Sequence, residues 1–361
     1  MNRRRGREPE QFFDHFRRAV ARLPAGLIRV MPPASETELA AAAAALGREL
    51  PAVYGEFLRS FDGADLFHET VLVAGVGAGA PVRLAELAQP GDRPDELTFA
   101  VAAAGERYAL DGDGRVVRYD AGADERALAG SAFGPWLDAT VAREQVLYGP
   151  DGEYAPDVFD PSGEEVTPVV ALRQAERALK QDPGAAGAAH ARGVALRRLG
   201  RLAAAVGALK EATALDPENP WPWFDLGRVA LEDEQRAEAT AAFRRAAELD
   251  PGPEGARLLA WATRAAAPHE AAALRALALA RDPGLLEALR RAVAAAAEDD
   301  DPDERAEAAA LLEAIAPGEV VVPRRRLPIV RESAAPPPPP ARPRRPHPAA
   351  PPRSGGRRRG A

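Results

Sequence analysis

The sequence predicts an α+β domain with an antiparallel sheet, then an all-α solenoid of helix pairs, then a disordered C-terminal tail. Three observations predict it. Residues 1–150 pass from amphipathic helical stretches through several short β-branched segments and back to a helix, the order of an α+β domain. Leu215-Asp216-Pro217 recurs as Leu249-Asp250-Pro251, 34 residues on, and Asp182-Pro183 lies 34 before, a period that marks stacked helix-turn-helix units. From Pro317 onward the chain is rich in proline and arginine and has no apolar periodicity. The expected divisions are 1–150, a linker at 151–168, repeats at 169–316 and the tail at 317–361.

The first helix is expected through Phe12, Phe13, Phe16, Val20 and Leu23. Pro33-Ala-Ser-Glu-Thr-Glu-Leu starts the second, because Ser35 and Glu38 have the spacing of a capping box. That helix runs through alanines to Leu46 and ends at Gly47, a usual C-terminal cap. Pro51 suits the first turn of a third helix, whose stripe is Tyr54, Phe57, Leu58 and Phe61. After Gly63 the pattern changes. Val71–Val73 and Leu97–Val101 read as strands. Arg107–Leu110 and Arg115–Tyr119 flank Asp111-Gly-Asp-Gly114, a hairpin. A helix around Trp136, Leu137 and Val141 closes the domain.

The segment 35–67, with Glu38-Leu39, Leu46-Gly47, Leu50-Pro51, Tyr54, Phe57-Leu58, Phe61 and Asp62-Gly63, resembles the opening of the SUKH superfamily, the Smi/Knr type. Residues 105–120 resemble that family's later hairpin. The resemblance covers about residues 10–150. It implies a non-catalytic binding domain, either an immunity protein against a toxin or a regulatory adaptor. The matching residues are apolar and turn positions, so they carry fold rather than a partner.

Gly75-x-Gly77-x-x-Ala80 after the strand at Val71 fits a loop that cradles a dinucleotide pyrophosphate. Such a site needs a crossover helix to a parallel strand. Here Pro81 follows at once, and the helix available, Val82 to Ala88, stops at Pro90-Gly91. A surface loop is the expected reading. A nucleotide-binding enzyme acting through Gly75–Ala80 is the lesser alternative.

In the repeats, Gly193 pairs with Gly227, Ala205 with Ala239, Leu209 with Phe243 and Ala212 with Ala246 at the same offset. The unit Pro220–Pro251 resembles the tetratricopeptide (TPR) repeat through Trp223, Leu226-Gly227, Ala239, Phe243, Ala246 and Pro251. The match weakens outward. The segment before Pro183 supplies only a second helix, Asp282-Pro283 comes after 32 residues, and Arg275 stands where an aromatic is expected. Helices near 284–297 and 303–315 are expected to cap the array. The resemblance implies a concave groove lined by the second face of each first helix. The candidate partner-binding residues are therefore His190 and Arg197 in one unit and Trp221, Phe224, Arg228 and Leu231 in the next.

The net charge of −7 is uneven. The tail holds eleven arginines against Glu319 and Glu332, a surplus of nine positive charges, so residues 1–316 carry sixteen negative ones. Nucleic acid is not an expected partner except through the arginine clusters of the tail, whose leading reading is a solvated segment with no fixed partner. There is no cysteine, which excludes disulfides and thiolate metal sites. No apolar run approaches the ~20 residues of a membrane span, and a cytoplasmic location is expected. His15, His68, His190, His269 and His347 are scattered without metal-ligand spacing. Asp111–Gly114 lacks the oxygen ligands and closing glutamate of a calcium loop. No cofactor, metal or catalytic residue is expected. The expected function is a non-catalytic scaffold or adaptor that binds protein. Its alternative is an immunity protein that neutralises a toxin by direct binding, with a toxin or a peptide in the groove as partner.

Overall fold

The computed structural model describes residues 9–87, 93–120, 126–160, 166–298 and 302–317. The expected tail, from residue 318 on, lies outside the described residues. Helix α1 (Pro9–Val20) and strand β1 (Ile28–Val30) precede helices α2 (Glu36–Leu46) and α3 (Ala52–Ser60). The capping box forms: the Glu38 N–H donates to Ser35 Oγ, and the Ser35 N–H donates to Glu38 Oε2 at 2.8 Å. Gly47 ends α2 in the left-handed region, at φ 64°. Pro51 does not enter the first turn of α3. Its ψ of 132° is extended, so it serves as the N-cap and the helix begins at Ala52.

The sheet is a meander. Strands β1, β2 (Ala64–Leu66), β3 (Val71–Val73), β4 (Leu97–Ala102), β5 (Arg107–Leu110), β6 (Val116–Tyr119) and β7 (Arg126–Gly130) lie side by side in sequence order. Each pairs antiparallel with its neighbour. The expected strands are present, and β1, β2 and β7 add to them. A three-residue strand such as β2, buried throughout, is too short to show alternation. The Arg-Ala-Leu-Ala-Gly of β7 carries little β propensity. A short helix, α4 (Leu84–Leu87), falls between β3 and β4.

Helix α5 (Phe133–Glu144) packs its aromatics into the core with those of α3 and β4. Phe133 meets Phe57 at 5.1 Å, Phe99 at 5.2 Å and Tyr54 at 5.3 Å, edge to face. That geometry adds about 0.5–1.5 kcal/mol per pair beyond the area buried. Tyr54 donates its hydroxyl to the Ala74 carbonyl at 2.6 Å. Burial, and then the charge of Asp62, hold that phenol well above its ordinary pKa.

The second half is a run of helices: α6 (Pro168–Gln181), then the pairs α7 (Ala186–Arg198) with α8 (Leu202–Leu215), α9 (Pro220–Glu232) with α10 (Arg236–Leu249), α11 (Pro253–Ala265) with α12 (Pro268–Arg281), and α13 (Leu285–Glu298) with α14 (Pro302–Ile315). The recurring glycines are places of contact. A Cβ on Gly193 would sit 2.5 Å from Leu209, and one on Gly227 would sit 2.6 Å from Phe243. Each first helix therefore lies directly on its own second helix. Helix α6 has no repeat partner before it, and α5 packs beside it in that place.

The last pair departs from simple stacking. Helix α14 packs on α11, where Leu311, Leu312 and Ile315 join the core built around Leu258, Leu259 and Trp261. Arg275, which replaces the expected aromatic, donates from Nε to the Ala314 carbonyl at 2.9 Å. This ties α12 to α14, so the expected cap closes the far end of the array.

Candidate functional site

Two of the six candidate residues are engaged in ties between successive repeats. His190 on α7 meets Asp225 of α9, Nε2 to Oδ2, at 2.7 Å. Arg197, two turns further along α7, donates to Glu232 of α9 at 2.5 Å. Both partners are 35 positions on, the repeat period plus one, so equivalent faces of neighbouring first helices are stitched together.

The α9 residues divide. Phe224 packs on Phe243 and Trp261, both at 5.6 Å, and Arg228 lies over its ring at 5.7 Å. Leu231 packs against the same core. These three stabilise the junction with the next repeat. Trp221 stands one turn earlier, edge-on to Phe224 at 5.9 Å. It is placed there by the helix start: Asn219 caps α9 by accepting the Trp221 N–H at 3.0 Å, and Pro220 fits the first turn.

Trp221 and His190 line a cleft of about 1140 Å³. One side of the cleft is formed by β5–β7 and α5, with Tyr108, Leu128 and Trp136. The other is formed by α6, α7 and the starts of α9 and α11, down to Asp250 and Pro253. Sequence reasoning placed the groove on the repeats alone. The sheet supplies the missing side, and Trp136 and Leu128 were not expected in it.

The corners of the repeats set that side in place. The Asp182 carboxylate is buried and accepts three hydrogen bonds, from the Ser131 N–H at 2.8 Å, the Ser131 hydroxyl at 2.7 Å and the Gly184 N–H at 3.0 Å. Asp216, the equivalent residue one repeat on, accepts the Leu128 N–H at 2.8 Å. The Leu128 N–H on the outer edge of β7, and that of Ser131 just past its end, are thereby taken up by side chains rather than by another strand. Close approach requires Gly130 to lack a side chain: a Cβ there would lie 2.7 Å from the Cβ of Trp136. The signal for these contacts was present in the Asp-Pro recurrence, which the sequence shows only as a helix stop.

The cleft's cations are partnered. Arg118 pairs with Asp120 at 2.9 Å, and Arg143 with Glu144 at 2.7 Å. Arg126 pairs with Glu96 at 2.9 Å and Asp111 at 3.3 Å. Burial opposes the charge of Arg126, but the hydrogen bond and field of Glu96, then Tyr119 and Asp111, hold its pKa above the ordinary value. Tyr119 donates a short hydrogen bond to Glu96. Its pKa is pushed up to about 12 by burial and then by the Glu96 carboxylate.

The glycine turn at Gly75 is filled from within. Asp62, itself buried, accepts the Val76 N–H at 2.6 Å and the Gly77 N–H at 2.8 Å. A Cβ on Gly75 would lie 2.3 Å from the Asp62 carbonyl oxygen, and one on Gly77 2.5 Å from Oδ2. The glycines admit a carboxylate of the same chain, at the place where a phosphate would have to sit. Among the described residues no group of three or more His, Cys, Asp or Glu could hold a metal ion. No described helix is long and apolar enough to cross a membrane.

Comparison with known proteins identifies part of the helical half. The tetratricopeptide repeat family model matches residues 196–262, from the end of α7 into α11; the chain carries TPR repeats there. The match does not reach the sheet half. No curated protein matches the chain. Among solved structures, the TPR protein YrrB, described as having an unusual peptide-binding site, is 23% identical, with 42% of this chain and 79% of that one covered and a TM-score of 0.29. PilF of Pseudomonas aeruginosa is 21% identical over 51% and 75%, with a TM-score of 0.30. MamA is 21% identical over 41% and 88%, also at 0.30.

Proposed function

We propose that this chain is a non-catalytic scaffold or adaptor of the cytoplasm, in which a SUKH-like domain (1–150) and a TPR array (169–316) together take a segment of a partner protein. The observation that carries this is the cleft, because Tyr108 comes to it from the sheet, Trp136 from α5 and Trp221 from the repeats. Aromatics in a concave site with a paired polar rim are the usual anchors of protein interfaces. Its cations are held by neighbouring carboxylates, an arrangement suited to fixing a surface rather than to moving protons. Within the candidate set, Trp221 and His190 are the contact residues, while Arg197 ties α7 to α9 and Phe224, Arg228 and Leu231 hold the junction with the next repeat.

A second reading, immunity by direct binding of a toxin, rests on the sixteen net negative charges of residues 1–316. Such a surface favours fast capture of a basic partner.

A photo-reactive amino acid at Ala191, exposed in the cleft, tests the scaffold reading against the same group at Lys210, exposed on α8. Irradiation in native cells should link Ala191 to one partner and Lys210 to none. Equal or absent cross-linking from both sites would remove the cleft as the binding surface. A captured basic toxin, inhibited by the purified chain, would select the immunity reading.

A further inference from the structure

Strand β7 is itself an extended peptide bound to the corners of the repeats. Ser131 sits on the Asp182 corner and Leu128 on the Asp216 corner. Three residues of strand span about 10 Å, close to the spacing at which neighbouring helices pack. From Leu128 in β7 to Ser131, one residue past its end, the chain crosses one repeat in three residues, and each corner carboxylate accepts one of these backbone N–H groups. At Leu128 the contact reads main chain alone, and at Ser131 it reads the main chain and the hydroxyl together.

The next equivalent corner is Asp250. It lines the cleft beside Trp221, and β7 leaves it unused. Among the described residues its carboxylate accepts only the Gly252 N–H, at 2.7 Å, within its own turn. Glu218, at the preceding corner, is exposed on the same side of the cleft.

We propose that the Asp-Pro corners form a ladder for extended peptide backbone, with two rungs filled by β7, and that the Asp250 rung takes an extended partner segment carrying a basic residue. This rests on the reading of the cleft as the partner site. Continuity with the β7 contact supplies the extended conformation, since the same carboxylate position one and two repeats earlier already accepts strand N–H groups. Charge complementarity supplies the basic residue: a carboxylate holding a backbone N–H keeps lone pairs free for a guanidinium or ammonium, and Glu218 adds a second acceptor. Trp221 offers its ring to the stem of that side chain.

The test uses the full chain and three labelled decapeptides of alternating threonine and valine. One has a central arginine, one a central glutamate, and one is the arginine peptide with alternate amides N-methylated. The arginine peptide should bind at least tenfold tighter than either of the others. Asp250→Ala should weaken it about tenfold. Asp250→Asn, which keeps an acceptor for Gly252 and so protects the fold, should reduce the preference for arginine over glutamate to threefold or less. Asp282→Asn, at the corner beyond the cleft, should change nothing. Equal binding of the methylated peptide, an arginine preference untouched in Asp250→Asn, or no binding at millimolar peptide each overturns the ladder. If the partner captured from Ala191 depends on Trp221 but not on Asp250, the ladder falls and the scaffold reading stands.

Discussion

The corner aspartates offer a sharp contrast, because Asp182, Asp216 and Asp282 occupy the same turn and differ in what they hold. Among the described residues, Asp282 accepts only the Gly284 N–H, at 2.8 Å. Asp216 accepts a strand amide, Leu128, and Asp182 accepts both groups of Ser131 in addition to its own Gly184. A hydrogen bond to a charged acceptor contributes about 1.5–3 kcal/mol, and a buried donor left without a partner costs about 1–3. Asp282→Ala should therefore cost about 1 kcal/mol, Asp216→Ala about 2, and Asp182→Ala about 3–4, since Asp182 is 1% exposed and water cannot replace it fully. Urea unfolding read by circular dichroism ranks the three. Hydrogen exchange locates the effect: a loss of about 2 kcal/mol at the Leu128 amide in Asp216→Ala speeds its exchange roughly 30-fold, with α12 unchanged. If Asp182→Ala and Asp282→Ala cost the same, the carboxylates serve only their own turns, and the attachment of β7 is apolar packing.

Gly207, with nothing near its Cβ position, and Gly227, packed on Phe243, should respond oppositely to alanine. Thermal melts should show Gly207→Ala stabilised by about 1 kcal/mol and Gly227→Ala destabilised by about 1–2. Glu234 sits at φ 58° where its counterpart one repeat earlier, Gly200, sits at φ 71°; Glu234→Gly should gain about 1 kcal/mol in the same melts. Tyr119 is neutral in the folded chain up to about pH 12 and would ionise near 10 unfolded. The folded state thus holds its proton more tightly, so this group's contribution is complete below pH ~10 and is lost as pH rises to about 12. Difference absorbance of Tyr119→Phe against the parent should remove one late-ionising phenol. A fragment beginning at residue 166 lacks α5, and hydrogen exchange should show α6 unprotected while α9 and α10 stay protected.

The period of 34 was legible because it is written in residue types that physics restricts. Proline stops a helix, and only glycine allows the approach seen at Gly193 and Gly227. The capping box and the hairpin at Asp111 were legible for the same reason, as local hydrogen-bonding rules. What stayed hidden was non-local. Phe224 and Trp221 fall on one helical face, yet only Trp221 reaches the cleft, because Trp261 from the next repeat covers Phe224. The glycine turn left a lesser phosphate-binding alternative open through the converse case. A backbone built to surround an anion looks alike in sequence whether the anion is a phosphate or Asp62, and the chosen partner lies 13 residues before Gly75. The sheet's side of the cleft was least visible, since β7 is an alanine-rich strand whose place depends on carboxylates 51 and 88 residues away.

The position of α5 explains how two unlike halves share one site. A TPR unit buries its face only against neighbours, so an array that begins with a second helix leaves that helix half covered. Helix α6 begins this array, and α5 lies where its first helix would be. Yet α5 also closes the sheet's core through Phe133 and Trp136. The two faces of one helix therefore serve two folds, and Trp136 and Arg143 enter the cleft from the helix between them. A hinge at this point would have to expose apolar surface on α6 and break the Asp182 and Asp216 bonds together. The sheet and the first repeats are therefore joined by apolar packing and by these bonds together. On the proposed reading, a partner segment entering the cleft would meet surfaces already fixed in register, with little ordering cost left for the binding step.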